Sequence, residues 1–224
     1  MSAAKALPSA YLIAGIGNRT MPYTRHSAGL LMVNALAQSF GLNLKPVRGL
    51  NCICAETTTR ILAGTKHEQS MRFIFANSEA FMNLSGRPVL LASQHYLGQA
   101  RDPRSLIVVH DSIDLPPLTI KPKQGGSTNG HNGIESVKSA LGTPDFWRIR
   151  LGVGEYDRSS GKKEMVNFVL GDLTGQERRF FGQPGPGVDE VWKAIEGIVE
   201  QNIKGGGSSS GKHKSKAKGG RGDT

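Results

Sequence analysis

The run Leu106-Ile-Val-Val109, which leaves through His110-Asp-Ser-Ile-Asp-Leu-Pro-Pro117, constrains this chain more than any other stretch. Four consecutive apolar residues, three of them β-branched, suit a strand buried on both faces. The abrupt change to acids and prolines marks that strand's carboxyl end. Open α/β sheets carry their chemistry beyond strand carboxyl ends, so His110, Asp111 and Asp114 become candidates. A polar turn held by Pro116 and Pro117 accounts for the same letters, and other segments must decide.

The rest of the chain alternates in the same way. Tyr11–Ile16 reads as a buried strand that ends in Gly15-Ile-Gly-Asn18. The spacing of Leu30, Leu31, Val33, Leu36, Ala37 and Phe40 predicts a helix over 28–40, capped by Ser27 and stopped by Gly41. His26 therefore lies on a loop between the first strand and the first helix. Leu44–Glu56 reads as one or two short strands, and the polar stretch 57–70 shows no period. Met71–Phe75 is a further strand. A turn carrying Asn77, Met82 and Asn83 follows, then a helix from Ser85 or Gly86 to Gly98.

Leu118–Lys123 reads as extended, with Lys121 and Lys123 on one side of it. Gln124–Gly133 holds four glycines and leads into a helix over 134–141, whose exposed N–H groups favour an anion. Phe146–Val153 is a strand with Arg148 and Arg150 facing one way. A polar excursion spans 154–163, and 165–170 reads as a short helix or strand. Helices over 174–181 and 188–203 flank a linker at 182–187.

At 224 residues the chain is long enough for one full core. Residues 1–10 read as a short leader, because they contain no arginine and run directly into a strand. Residues 204–224 read as a disordered basic Gly/Ser/Lys tail. From 202 onward six cations stand against Asp223, half of the formal charge of +10; the body carries the rest. A positive surface attracts polyanions. Cys52 and Cys54 are expected to face opposite sides of a strand, unable to bridge each other, which favours a reducing compartment. No apolar run reaches membrane-spanning length.

Several chemistries lack their motifs. The third glycine of a dinucleotide fingerprint is missing after Gly17, and Gln38 and Ser39 stand where an acid would bind ribose. The Gly125–Gly133 loop is not closed by Gly-Lys-Ser or Gly-Lys-Thr, so it is no Walker loop. Ligand spacing for a metal is absent. What remains is acid–base chemistry. A neutral imidazole can take a proton from water while a carboxylate fixes its tautomer. His26 with Asp111 fits these roles; His131 and His110 are rivals for the base, and Asp114 for the acid. Asn18, Asn83 and Asn132 can donate to a carbonyl or hold a water.

Six segments together carry a resemblance: Gly15-Ile-Gly-Asn18, Thr24-Arg-His-Ser-Ala-Gly29, Phe81-Met-Asn-Leu-Ser-Gly86, His110-Asp-Ser-Ile-Asp-Leu-Pro116, Gly130-His-Asn-Gly133 and Phe146-Trp-Arg-Ile-Arg-Leu-Gly152. In this order they resemble the signatures of the bacterial-type peptidyl-tRNA hydrolase family, over residues 12–170. The resemblance implies a single three-layer α/β/α domain over 11–203, around a mixed, mostly parallel twisted sheet. It implies hydrolysis of the ester between a peptide and the terminal ribose of tRNA, with no cofactor and no metal.

By the same resemblance, His26 is the catalytic base and Asp111 its supporting carboxylate. Asn18, Tyr23, Met82, Asn83 and Asn132 bind the peptide and ester, and Lys121 and Lys123 meet tRNA phosphates. A cytoplasmic monomer with no obligate protein partner and no membrane contact is expected, compatible with a mitochondrial pool. The segment from Asn18 to His26 is short for the family, Arg19 replaces a usual Pro-Gly start, and Ser27 replaces asparagine. With the basic tail, these departures point to a eukaryotic, fungal member. Two other readings remain open: a noncatalytic RNA- or ribosome-binding protein of this fold, and a hydrolase of small amides or esters.

Overall fold

Seven strands form one sheet in the computed structural model, which describes residues 8–99, 102–154, 156, 157, 159 and 161–205. The proposed leader, apart from residues 8–10, and the tail beyond 205 lie outside the described residues. The strands are β1 (Ala10–Gly15), β2 (Lys45–Val47), β3 (Cys52–Ile61), β4 (Gln69–Ser78), β5 (Leu106–Ser112), β6 (Ile120–Gln124) and β7 (Trp147–Gly152). Their order is β2-β3-β4-β1-β5-β7-β6. The four central strands run parallel, while β2, β3 and β6 join antiparallel at the edges.

Helices cover both faces. On one lie α1 (Ala28–Ser39), α5 (Gly175–Gly182) and α6 (Pro186–Gly205); on the other lie α2 (Gly86–Leu97) and α3 (Asn132–Leu141). The remaining helix, α4 (Lys162–Leu170), packs against the 3-10 turn Arg25–Ser27. This is the expected α/β architecture, and β5 shows why the sequence demands it. All seven of its residues are buried. Ile107 and Val109 enter the α1/α6 core and Leu106 and Val108 the α2/α3 core. Alternation then turns Asp111 toward the α1 side and His110 toward the α3 side.

Gly29 brings α1 to the strand ends. A Cβ there would stand 2.3 Å from the Val109 carbonyl oxygen and 2.8 Å from that of Ile16. Only glycine lets the helix begin so close, which sets the turn bearing His26 over the end of β5.

Several expectations need correction. β3 runs on through Ile61, because Thr57–Arg60 form a strand whose side chains are exposed or half-exposed on both faces and so lack an apolar alternation. Of the two readings open for 165–170, the helix is the one observed, within α4. Ser27 makes no cap; its hydroxyl accepts from the Asn18 N–H at 3.0 Å and donates to the Asn18 carbonyl at 3.2 Å. Cys52 and Cys54 share one face and one core cluster, since residues two apart in a strand point the same way. Both thiols are unpaired and buried. Among the described residues, no helix is long and apolar enough to cross a membrane.

Candidate active site

A cavity of about 300 Å³ opens at the carboxyl ends of β1, β5 and β7. Its floor is a carboxylate between two imidazoles. His26 Nδ1 lies 3.0 Å from both Asp111 oxygens, and His131 Nε2 lies 3.0 Å from Oδ1. His26 comes from the turn before α1 and His131 from the N-cap of α3, so both helices reach the acid at the end of β5. Asp111 is 1% exposed.

Burial opposes the charge on Asp111, yet His26 and His131 outweigh it and hold the carboxyl well below the ordinary aspartate value. Burial likewise favours neutral His26, but the charge and hydrogen bond of Asp111 prevail and raise its pKa above the usual imidazole value. Both shifts follow from one contact: the acid stays ionised and the imidazole becomes a better base. With Nδ1–H donated to the acid, Nε2 of His26 has no hydrogen-bond partner among the described residues and belongs to a ring that lines the cavity.

The rivals occupy other roles. His131 Nδ1 accepts the Ile134 N–H at 3.3 Å, which places the ring proton on Nε2, toward Asp111. His110 donates from Nδ1 to the Asp111 carbonyl at 2.7 Å, and its Nε2 is buried without a partner. Burial first, then the neighbouring His131, push the His110 pKa well down and keep the ring neutral. Asp114 stands apart from the triad: its Oδ2 accepts from the Asn129 amide at 2.8 Å.

The His26, Asp111 and His131 ligand atoms lie close enough together to suggest a metal site. The hydrogen-bond pattern argues otherwise. A metal on His131 Nε2 would require the proton to move to Nδ1, where the Ile134 N–H already points. The cluster is a hydrogen-bonded triad, in which both rings donate to one acid.

Around this floor the expected residues assemble in part. Asn18, Met82, Asn83 and Asn132 all line the cavity. Asn18 Oδ1 accepts the Met82 N–H at 2.9 Å, so its Nδ2 end is left to donate. Tyr23 is not among the lining residues; it is 54% exposed, its ring lies under Arg178, and its carbonyl holds the Leu173 N–H. Lys123 lines the cavity while Lys121 stands outside it.

The register of β6 on β7 reveals what single-strand periodicity did not. Lys121 pairs with Arg150 and Lys123 with Arg148, so four cations share one face. Arg148 is held by the carbonyls of Gly125 and Ser127, which fixes the glycine loop. Its pKa is lowered by burial and by Arg150. Gly125, Gly126, Asn129 and Gly130 all have positive φ, so this loop is a shape that needs its small residues. In the same cavity α4 presents Met165, Val166, Val169 and Leu170 as an apolar wall that the sequence did not reveal.

The sequence profile of the peptidyl-tRNA hydrolase family matches residues 12–218. The chain belongs to the peptidyl-tRNA hydrolase family. A peptidyl-tRNA hydrolase of Frankia casuarinae is 41% identical over 171 residues, covering 75% of this chain and 79% of the relative. One from Pelobacter propionicus is 38% identical over 202 residues, covering 87% and 92%. The crystal structure of the Acinetobacter baumannii enzyme superposes with a TM-score of 0.65 at 26% identity, covering 90% of this chain and 92% of that one. These relatives are bacterial, and they give no support to the eukaryotic, fungal placement expected from the short Asn18–His26 segment and the tail.

Proposed function

We infer that this chain hydrolyses the ester joining a peptide, or an N-blocked aminoacyl group, to the terminal ribose of tRNA. Family membership supports the reaction, and one observation supports the mechanism: Asp111 grips Nδ1 of His26 and leaves Nε2 at the cavity. His26 takes a proton from water at Nε2 while Asp111 stabilises the imidazolium that forms. The water attacks the ester carbonyl. The Asn18 amide, its orientation fixed by Met82, donates to the developing oxyanion, with Asn83 and Asn132 on the same rim. The departing ribose oxygen takes up a proton from the imidazolium, and the base is restored.

His131 shares the carboxylate and keeps it in place. The Lys121, Lys123, Arg148 and Arg150 face supports a phosphate contact, because cations set directly opposite one another repel until an anion joins them. The apolar α4 wall and Met82 border the space left for the acyl group. Such a substrate belongs in the cytoplasm, and the reading needs neither an obligate protein partner nor a second copy. The boundaries 11–203 for the catalytic unit, with a leader before and a basic tail after, are part of the same proposal.

The test is cleavage of N-acetyl-aminoacyl-tRNA against free aminoacyl-tRNA. The blocked substrate should be cleaved and the free one spared. Binding of tRNA without cleavage would instead favour the noncatalytic reading. Cleavage of small N-acyl esters as fast as of the blocked tRNA would favour the small-substrate hydrolase.

A further inference from the structure

Helix α4 supplies four residues to the cavity wall but buries none of its own fully, and Phe168 is its contact with the core, so core packing alone does not explain its position. What it rests on is the turn that carries His26. The Arg25 N–H donates to the Gly171 carbonyl at 3.0 Å, and the Leu173 N–H to the Tyr23 carbonyl at 2.9 Å, around a bridge between Thr24 and Asp172. The guanidinium of Arg25 lies 4.7 Å from the centre of the Phe168 ring and donates to the Phe168 carbonyl at 3.4 Å. Its Nε stands 3.8 Å from Glu177 Oε1. Glu177 in turn caps α5, with Oε2 accepting the Thr174 N–H at 2.7 Å. Phe168 also meets the Tyr156 ring, 5.6 Å between ring centres, and a Cβ on Gly154 would stand 3.1 Å from Cζ of Phe168.

We propose that Arg25 is a positioning residue for the hydrolysis: seated on Phe168, it fixes the α4 wall against the turn that presents His26. The proposal rests on the assignment of His26 as base. A planar cation suits the task for three reasons. It stacks on the ring, it bonds the Phe168 carbonyl in the last turn of α4 where the helix dipole is negative, and it faces a carboxylate. Lysine can satisfy either of the last two but cannot offer the planar stack or hold all three at once. With the latch gone, α4 is freed from the side chain that ties it to the base-bearing turn, and its amides open locally without unfolding the sheet.

The experiment compares the parent with Arg25→Met, Arg25→Lys, Phe168→Ala and the Arg25→Met/Phe168→Ala double variant. Amide exchange and steady-state cleavage of N-acetyl-aminoacyl-tRNA are measured on each. The latch predicts that exchange in 162–170 quickens roughly 10-fold or more while β5 and β1 keep their protection. It predicts that kcat falls roughly 10-fold, as a misplaced wall should cause, with KM changed much less. Lysine should fail to restore it. The double variant should be no worse than either single one, because each substitution alone already breaks the stack.

Parent-like exchange in α4 and parent-like kcat in Arg25→Met would overturn the proposal, as would full recovery by lysine. Parent enzyme that spares the blocked tRNA would defeat the hydrolase assignment instead. The exchange measurement would still report on the latch by itself.

Discussion

The floor of the cavity and its cationic wall are built on opposite principles. On the floor, one acid receives both imidazoles at 3.0 Å, so its charge has two donors facing it. On the wall, β6 and β7 place Lys121 beside Arg150 and Lys123 beside Arg148. Among the described residues no carboxylate pairs with Lys121, Lys123 or Arg150. A satisfied cluster is suited to work on a neutral bond, since it need not change partners to act. An unsatisfied one is suited to hold a polyanion. In the proposed function this division separates turnover from affinity, and substitutions should keep the two apart.

His26→Ala should show this most strongly. Loss of a general base lowers kcat by about 10²–10⁴-fold, while tRNA affinity stays within a few-fold of the parent because the wall is untouched. Equal losses in binding and turnover would erase the distinction. Asp111→Asn comes next, with a fall in kcat of roughly 10²-fold. It also moves the acid limb of the pH profile. Burial lowers the His26 pKa and Asp111 more than offsets it, so the limb of the parent should lie above the ordinary imidazole value of 6.5 and that of the variant lower.

On the cationic side, Lys121→Ala with Lys123→Ala should leave kcat nearly intact. Binding should weaken, and the slope of log affinity against log salt should flatten by about one for each phosphate no longer neutralised. A fall in kcat with an unchanged salt slope would place these lysines in the chemistry instead.

The smallest effect concerns His110, which is buried, neutral and adjacent to the triad without joining it. Its folded pKa is depressed, so below the unfolded value of 6.5 the unfolded chain binds the extra proton. Stability from this group is therefore present above that pH and lost as the pH falls. The raised pKa of His26 acts oppositely, with stability present below 6.5 and lost as pH rises through its folded value. His110→Phe, followed by thermal melts at several pH values, should flatten the acid-side decline relative to the parent.

Much of this was legible in the sequence, and the gaps have physical causes. β5 announced itself because a strand buried on both faces has to be apolar throughout. His26 and Asp111 were readable as chemistry because each sits where a strand or loop ends without an apolar pattern to explain it. The choice between Asp111 and Asp114 was not readable from local pattern, since it depends on β5 continuing to Ser112. The four-cation face needed the antiparallel register of β6 on β7, which no single strand encodes. The α4 wall was invisible for a related reason. Its apolar residues cover a cavity and not a core, so their spacing marks no buried stripe. The outer half of β3 failed through the same lack of an apolar face, and Tyr23 sits near His26 in sequence yet turns outward to Arg178.

Whether Asp111 makes His26 the base is decided by nitrogen-resolved NMR titration of the His26 ring. The expected result is a proton fixed on Nδ1, a titration midpoint above 6.5 that coincides with the acid limb of kcat/KM, and a lower midpoint in Asp111→Asn. A His26 ring that titrates at the same pH with and without the carboxylate, or away from the kinetic limb, would refute that role for the acid.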